Sequence, residues 1–235
     1  MNLLLLTDAD FIAPNRVRIE GRRHAHIRDI HKATLGDSLR VGLLEGLIGQ
    51  GKITRLDAQG VELEIQLDQA PPPQLSLTLL LALPRPKMLR RIFQSCATLG
   101  VAELILINSY RVEKSYWQSP LLAEDKIREQ LILGLEQGMA TQLPRITLRK
   151  RFKPFVEDEL PALIQGTRAL VAHPYQAQPC PGQSEQPTVL AIGPEGGFIP
   201  YEIDKLADTG FTAIEIGRRI LRVETAVTTL CAKLF

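Results

Sequence analysis

Two stretches of the chain bring together residue types able to hold a ligand and act on it: Ile192-Gly193-Pro194-Glu195-Gly196-Gly197-Phe198, and further on Gly217-Arg218-Arg219-Ile220-Leu221-Arg222-Val223-Glu224-Thr225-Ala226. Glycines admit positive φ and let a ligand approach the main chain. A guanidinium is permanently charged and offers a planar fork of donors, while a carboxylate is a candidate proton acceptor. Gly-Pro-Glu-Gly-Gly lacks the G-x-G-x-x-G order of a dinucleotide loop and the closing Gly-Lys-Ser/Thr of a phosphate loop, which disfavours a generic nucleotide-phosphate cradle. A tight strand-to-helix turn is the plain structural alternative for the first stretch taken alone.

The elements that must position these loops follow from hydrophobic patterning. The first stretch leaves the apolar run Thr188 to Ile192 and the second leaves Thr212 to Ile216. Both runs read as strands, and in open α/β sheets ligands sit at strand ends. Around them, strands are expected at Leu75 to Leu83, Glu103 to Ile107 and Arg168 to Ala172. Helices are expected at Lys87 to Leu99 (closed by Gly100), Pro120 to Met139, Pro154 to Gln165, Pro200 to Thr209 and from Val223 onward. This alternation predicts an α/β domain with a mostly parallel sheet flanked by helices.

Pro71-Pro72-Pro73 favours extended polyproline structure and breaks the pattern. Before it, short runs at Ser38 to Leu44, Leu47 to Leu56 and Val61 to Leu67, separated by turn residues, predict a small β-barrel. A helix at about 21–33 interrupts it, and the apolar opening of the chain is read as a first strand. The expected division is a barrel over 1–70, a proline linker over 71–74 and an α/β domain over 75–235.

Composition narrows the function classes. A hydrophobic content of 45%, a charged content of 23% and a net charge of +2 describe an ordinary globular chain. Cys96, Cys180 and Cys231 lack metal-ligand spacing and are odd in number, which argues against a zinc site or a disulfide scaffold. Cys96 and Cys231 fall on apolar helix faces, as core residues do, and a reducing cytoplasm is the expected setting. His24, His26 and His31 lie close together but without cysteines or carboxylates at ligand spacing, so no metal is expected. No apolar run reaches the ~20 residues of a transmembrane helix, so a soluble protein without membrane partners is expected.

Charge clusters in three places. Arg16, Arg18, Arg22, Arg23, Arg28 and Lys32 stand against Glu20 and Asp29; Arg145, Arg149, Lys150, Arg151 and Lys153 form a second group, and Arg85, Lys87, Arg90 and Arg91 a third. Each alone is as readily a solvated face. Together they point to RNA phosphates, which give affinity without sequence choice.

The two stretches with which this reading began resemble the signature of the ribosomal RNA small subunit methyltransferase E family. His173-Pro174 after a strand, Glu136-Gln137 with Pro144 beyond, Leu99-Gly100-Val101, His26 and Gly36-Asp37 fall in the family's order, so the resemblance spans nearly the whole chain. It implies a PUA-like RNA-binding barrel followed by a SPOUT domain whose C-terminal segment forms a trefoil knot. It also implies S-adenosyl-L-methionine as cofactor, a homodimer, and methyl transfer to N3 of a uridine in 16S rRNA of the small ribosomal subunit.

Carried onto this sequence, the cofactor loops are Val171, His173 and Pro174; Ile192, Gly193, Pro194, Glu195, Gly196 and Gly197; and Ile216, Gly217, Ile220, Leu221, Arg222 and Val223. The first basic group would meet RNA, and Arg219 would meet an RNA phosphate or the dimer partner. Uracil N3 holds a proton at neutral pH, so the reaction needs a base or a stabiliser of the uracil anion. Arg222 suits the O2 or O4 oxygen, and Glu224 suits the proton or the positioning of Arg222. A carboxylate early in a helix also complements the macrodipole, and Glu195 is the competing base or a loop-orienting group.

The sequence departs from the family at Gln94-Ser95-Cys96-Ala97-Thr98, which lacks the usual lysine and glutamate, at Met139-Ala140 in place of glycine and arginine, and at Ile30-His31-Lys32. The cofactor loops are kept, so the departures bear on the RNA target more than on methyl transfer. A methyltransferase of the same fold with another RNA target and a non-catalytic RNA-binding relative are the alternatives.

Overall fold

The computed structural model describes residues 2–235. They pack as two compact units, Met1–Pro73 with Ile132–Leu143, and Gln74–Leu131 with Pro144–Phe235. The triple proline lies at the first break. A reading along the chain does not foresee that 132–143 joins the first unit.

In the first unit β1 (Leu4–Leu6), β2 (Phe11–Ala13), β3 (Arg16–Ile19), β4 (Ser38–Leu43), β5 (Ile48–Leu56) and β6 (Val61–Gln69) form one sheet in the order β1-β4-β5-β6-β3-β2. Its two edge strands, β1 and β2, are consecutive in the chain and joined by the 3₁₀ turn Asp8–Asp10, so the sheet must curl toward closure. Alternation supplies the core: Val17 and Ile19 from β3 meet Val61, Leu63 and Ile65 from β6, with Leu4, Leu6, Val41 and Ile53. The predicted helix begins as α1 (Gly21–His26), continues as a π turn (Ile27–His31), and stops at Lys32 in the left-handed region.

Segment 132–143 is built into this unit by polar contacts. The backbone N–H groups of Asn2 and Leu3 both donate to the Glu136 carbonyl at 3.0 Å. The Arg22 guanidinium donates to both carboxylate oxygens of Glu136, at 2.9 and 3.0 Å.

Asp10 locks the closing turn. Its carboxylate accepts from the Arg23 guanidinium at 2.6 and 2.8 Å and from the Thr7 backbone N–H at 2.7 Å. Burial by itself raises the Asp10 pKa, but the Arg23 and Thr7 hydrogen bonds outweigh it and hold the carboxyl below its ordinary range. A depressed native pKa contributes stability that is present above the unfolded value of about 3.9 and is lost as pH falls through the lower native value. Asp10→Asn is expected to cost on the order of 2 kcal/mol at pH 7 and to flatten the fall in stability on the acid side. Urea unfolding at pH 7 and pH 3 measures both, and an unchanged acid slope would remove the assignment.

The second unit holds β7 (Leu75–Ala82), α2 (Pro86–Leu99), β8 (Val101–Ile107), the first half of α3 (Glu124–Gly138) and β9 (Arg145–Arg149). It continues through α4 (Phe152–Pro154), a π turn (Phe155–Glu159), α5 (Leu160–Leu163), β10 (Arg168–Ala172), β11 (Gln178–Pro179), β12 (Thr188–Ile192), α6 (Pro200–Thr209), β13 (Thr212–Glu215) and α7 (Val223–Leu234). Its sheet runs β11-β13-β10-β12-β7-β8-β9, and every pair is parallel. Such strands are covered on both faces and read as continuous apolar runs, as Leu77 to Leu83 and Thr188 to Ile192 do.

One expectation is corrected. The helix read over Pro120 to Met139 starts only at Glu124, because Pro120 sits in a separate 3₁₀ turn, and it ends at Gly138 before Met139 at φ 54°. The basic run at 145–149 is an edge strand. Cys96 and Cys231 are buried as expected, and burial pushes the Cys231 thiol up to about 12. No helix among the described residues is long and apolar enough to cross a membrane.

Candidate active site

The sheet order creates the site. β12 lies between β7 and β10; the chain leaves β7 through α2 to β8 on one side and leaves β12 through α6 to β13 on the other. The loops at the carboxyl ends of β7 and β12 therefore diverge, opening a crevice at a topological switch point. A cleft of about 830 Å³ occupies it, bordered by the ends of β10, β12 and β13, the start of α2, and the first turns of α7. That is within the ~300–1,000 Å³ of small-molecule sites.

The loop after β12 is braced from three directions. The Glu195 carboxylate accepts the Arg85 backbone N–H at 3.1 Å, tying the two diverging loops together. The Arg111 guanidinium donates to the Gly196 carbonyl. Glu202, 2% exposed, accepts from Ile199 N–H at 3.0 Å, Tyr110 N–H at 2.8 Å and the Ser109 hydroxyl at 3.1 Å. This buried carboxylate joins the start of α6 to the turn that carries Arg111. Gly193 is needed for close approach, since a Cβ there would lie 2.9 Å from the Phe198 backbone nitrogen.

The second loop leaves β13 through Gly217, whose φ of 141° lies where side chains are strained. Arg218, Arg219, Ile220, Leu221 and Arg222 are all exposed. Arg222 stands at the head of α7, where its carbonyl accepts Ala226 N–H at 2.8 Å. Both Arg222 and Glu224 line the cleft. Neither side chain forms an ion pair among the described residues, with the other or with any third group. His173 is fixed by its backbone N–H to the Ile214 carbonyl at 3.0 Å, and burial lowers the pKa of its ring below 6.5.

Comparison with known proteins identifies the setting of this site. A family model described as an RNA methyltransferase domain matches residues 71–234. The ribosomal RNA small subunit methyltransferase E of Mesomycoplasma hyopneumoniae is 32% identical over 165 residues, covering 68% of this chain and 70% of that protein. The chain belongs to the ribosomal RNA small subunit methyltransferase E family. The enzyme of the same name from Treponema pallidum is 29% identical, with 99% of this chain and 90% of the relative aligned. The crystal structure of a ribosomal RNA small subunit methyltransferase E from Neisseria gonorrhoeae bound to S-adenosyl methionine superposes with a TM-score of 0.74 at 19% identity, covering 99% of this chain and 95% of that one. The fold is of the α/β SPOUT type with a barrel-like first unit.

In this member of the ribosomal RNA small subunit methyltransferase E family, the residues singled out from sequence converge on one cleft. His173, Pro174, the run Ile192 to Gly197, Ile216, Gly217 and the run Arg219 to Glu224 all line it. Val171 does not: it is 1% exposed within β10, and Ala172, the next residue, reaches the cleft instead. Sequence reasoning missed Met88 and Glu215 in the lining, and the bracing residues Arg111 and Glu202. Glu202 had a local signal, standing two residues after a helix-opening proline where a carboxylate caps free N–H groups; Arg111 had none.

The N-terminal basic group fares differently. Arg16 and Arg18 pair with Glu62, Arg22 with Glu136, Arg23 with Asp10 and Arg28 with Asp29. Only Lys32 of the six has no ion pair among the described residues. Most of the charge read as an RNA stripe is engaged within its own unit.

Proposed function

We propose that this chain is an S-adenosyl-L-methionine-dependent methyltransferase acting on N3 of a uridine in 16S rRNA. The observation that carries the reading is the cleft at the switch point, where glycine-rich main-chain loops meet an arginine and a carboxylate that have no ion pair among the described residues. The loops at His173-Pro174, Gly193 to Gly197 and Ile216 to Val223 would hold the cofactor. They suit it because the cleft combines close main-chain approach at Gly193 with apolar walls from Ile192, Ile216 and Leu221, as an adenosine and an amino-acid moiety require. When bound, the cofactor supplies an electrophilic sulfonium methyl.

The chain's own residues prepare the acceptor. Arg222 donates to the uracil oxygen on which negative charge grows, and Glu224 takes the N3 proton; positioned general bases contribute typically about 10²- to 10⁴-fold. Glu195 sets the loop, since one of its oxygens already holds Arg85 N–H. Ile216, Ile220 and Leu221, 40%, 82% and 36% exposed beside the cleft, support a homodimer that covers them. The first unit is read as the PUA-like module and the cytoplasm as the setting, with 16S rRNA or the small ribosomal subunit as the partner.

Calorimetry with S-adenosyl-L-methionine is expected to show one cofactor site, and no binding at millimolar cofactor would sink the enzymatic reading. Mapping N3-methyluridine in rRNA of cells with and without the gene is expected to show one position losing its mark. An unchanged map would reject the uridine assignment and leave another RNA target.

A further inference from the structure

We propose that the RNA strand is gripped by the cationic face of α2, not by the N-terminal arginine stripe. This rests on the reading of the chain as an RNA methyltransferase and names where that substrate's backbone lies. Lys87, Arg90 and Arg91 stand at i, i+3 and i+4, on the side of α2 opposite the buried Leu89, Ile92, Phe93 and Cys96, and Arg85 immediately precedes the helix. All four cations are exposed, and none forms an ion pair among the described residues.

This arrangement works against the isolated helix. Like charges three and four residues apart repel by about 0.2–0.5 kcal/mol per pair. The first turn of α2 carries no acidic residue to offset them, and cations near a helix start are disfavoured by the macrodipole. A polyanion laid along the face removes the repulsion. Arg85 and Lys87 also line the cleft, together with Arg219 and Arg222, so phosphates flanking a base inserted there meet positive charge from both segments.

The stripe lacks this freedom. Arg16, Arg18, Arg22, Arg23 and Arg28 each hold a carboxylate at 2.6 to 3.2 Å, and Glu62 alone serves Arg16, Arg18 and Arg55. A phosphate would have to displace those partners before gaining anything.

The test compares Arg90→Gln/Arg91→Gln with Arg16→Gln/Arg28→Gln. Neither pair of positions lines the cleft. Binding of a fluorescein-labelled 16S rRNA fragment would be followed by anisotropy across a salt series, with S-adenosyl-L-methionine affinity by calorimetry as the control for an intact site. The α2 pair is expected to lose at least about tenfold in RNA affinity near 0.1 M salt, and to lower the slope of log K against log salt by about 1.4, at roughly 0.7 per phosphate contact. Cofactor affinity should not move, and the stripe pair should stay within about twofold of wild type. Wild-type RNA affinity and slope in the α2 pair, or a loss confined to the stripe pair, would overturn the inference while leaving the methyltransferase reading intact. A wild-type protein that binds neither RNA nor cofactor would overturn both.

Discussion

Arg222→Ala is expected to bind S-adenosyl-L-methionine within a few-fold of wild type and to lose about 10²- to 10³-fold in kcat, the range for removing one donor aimed at developing negative charge. The side chain is exposed at the cleft and has no ion pair among the described residues, so its removal opens no core cavity. Its carbonyl, which caps Ala226, is retained in any variant. Arg222→Lys keeps the charge but loses the planar fork, and should fall between the two. Single-turnover transfer of labelled methyl to rRNA, read beside calorimetry, separates binding from chemistry; an alanine variant with unimpaired turnover would take Arg222 out of the reaction.

Glu202→Ala is expected to be the most destabilising single change around the site. Three donors converge on one carboxylate that is 2% exposed. Hydrogen bonds to a charged group are worth about 1.5–3 kcal/mol each, and donors left buried without partners add a desolvation cost. Because the three bonds share one group and are not additive, a loss of about 3–5 kcal/mol is expected. At roughly 2–4 °C per kcal/mol for a chain of this size, the melting temperature should fall by about 6–20 °C. Glu202→Gln turns one acceptor into a donor facing other donors and should lie between the two. The same variants should weaken cofactor binding, since α6 begins just after the Gly193 to Gly197 loop. A Glu202→Ala protein that melts with wild type would show that the bracing is redundant.

The parts legible in the sequence are those written in local pattern. β7, α2, β12 and α7 are marked by apolar runs, by helix-period burial and by glycine at the termini, and the two loops of the cleft follow from them. The parts that were not legible depend on distant partners. β3 carries arginines at alternate positions, Arg16 and Arg18, and β9 carries them at its two ends, Arg145 and Arg149, so each reads as a charge cluster until Glu62 and Glu103 are brought across the sheet. The pairing of the N-terminal arginines is hidden for the same reason: beside the local Glu20 and Asp29, their carboxylates come from Asp10, Glu62 and Glu136, and Glu136 is 114 residues from Arg22. Arg111 meets Gly196 across 85 residues, with no motif at either end to announce it.

The incorporation of Ile132–Leu143 into the first unit also bears on how the molecule is made. A nascent chain that has emerged only as far as Pro73 has the strands of the barrel but not the acceptor for its Asn2 and Leu3 amides, nor the carboxylate that pairs with Arg22. That unit is completed only once Leu143 has left the ribosome, after β7, α2 and β8 of the other unit have already been synthesised. The order of synthesis and the order in which the two units can finish folding are therefore interleaved, and a fragment cut at the proline break keeps β1 paired with β4 but leaves the Asn2 and Leu3 amides and Arg22 without these partners.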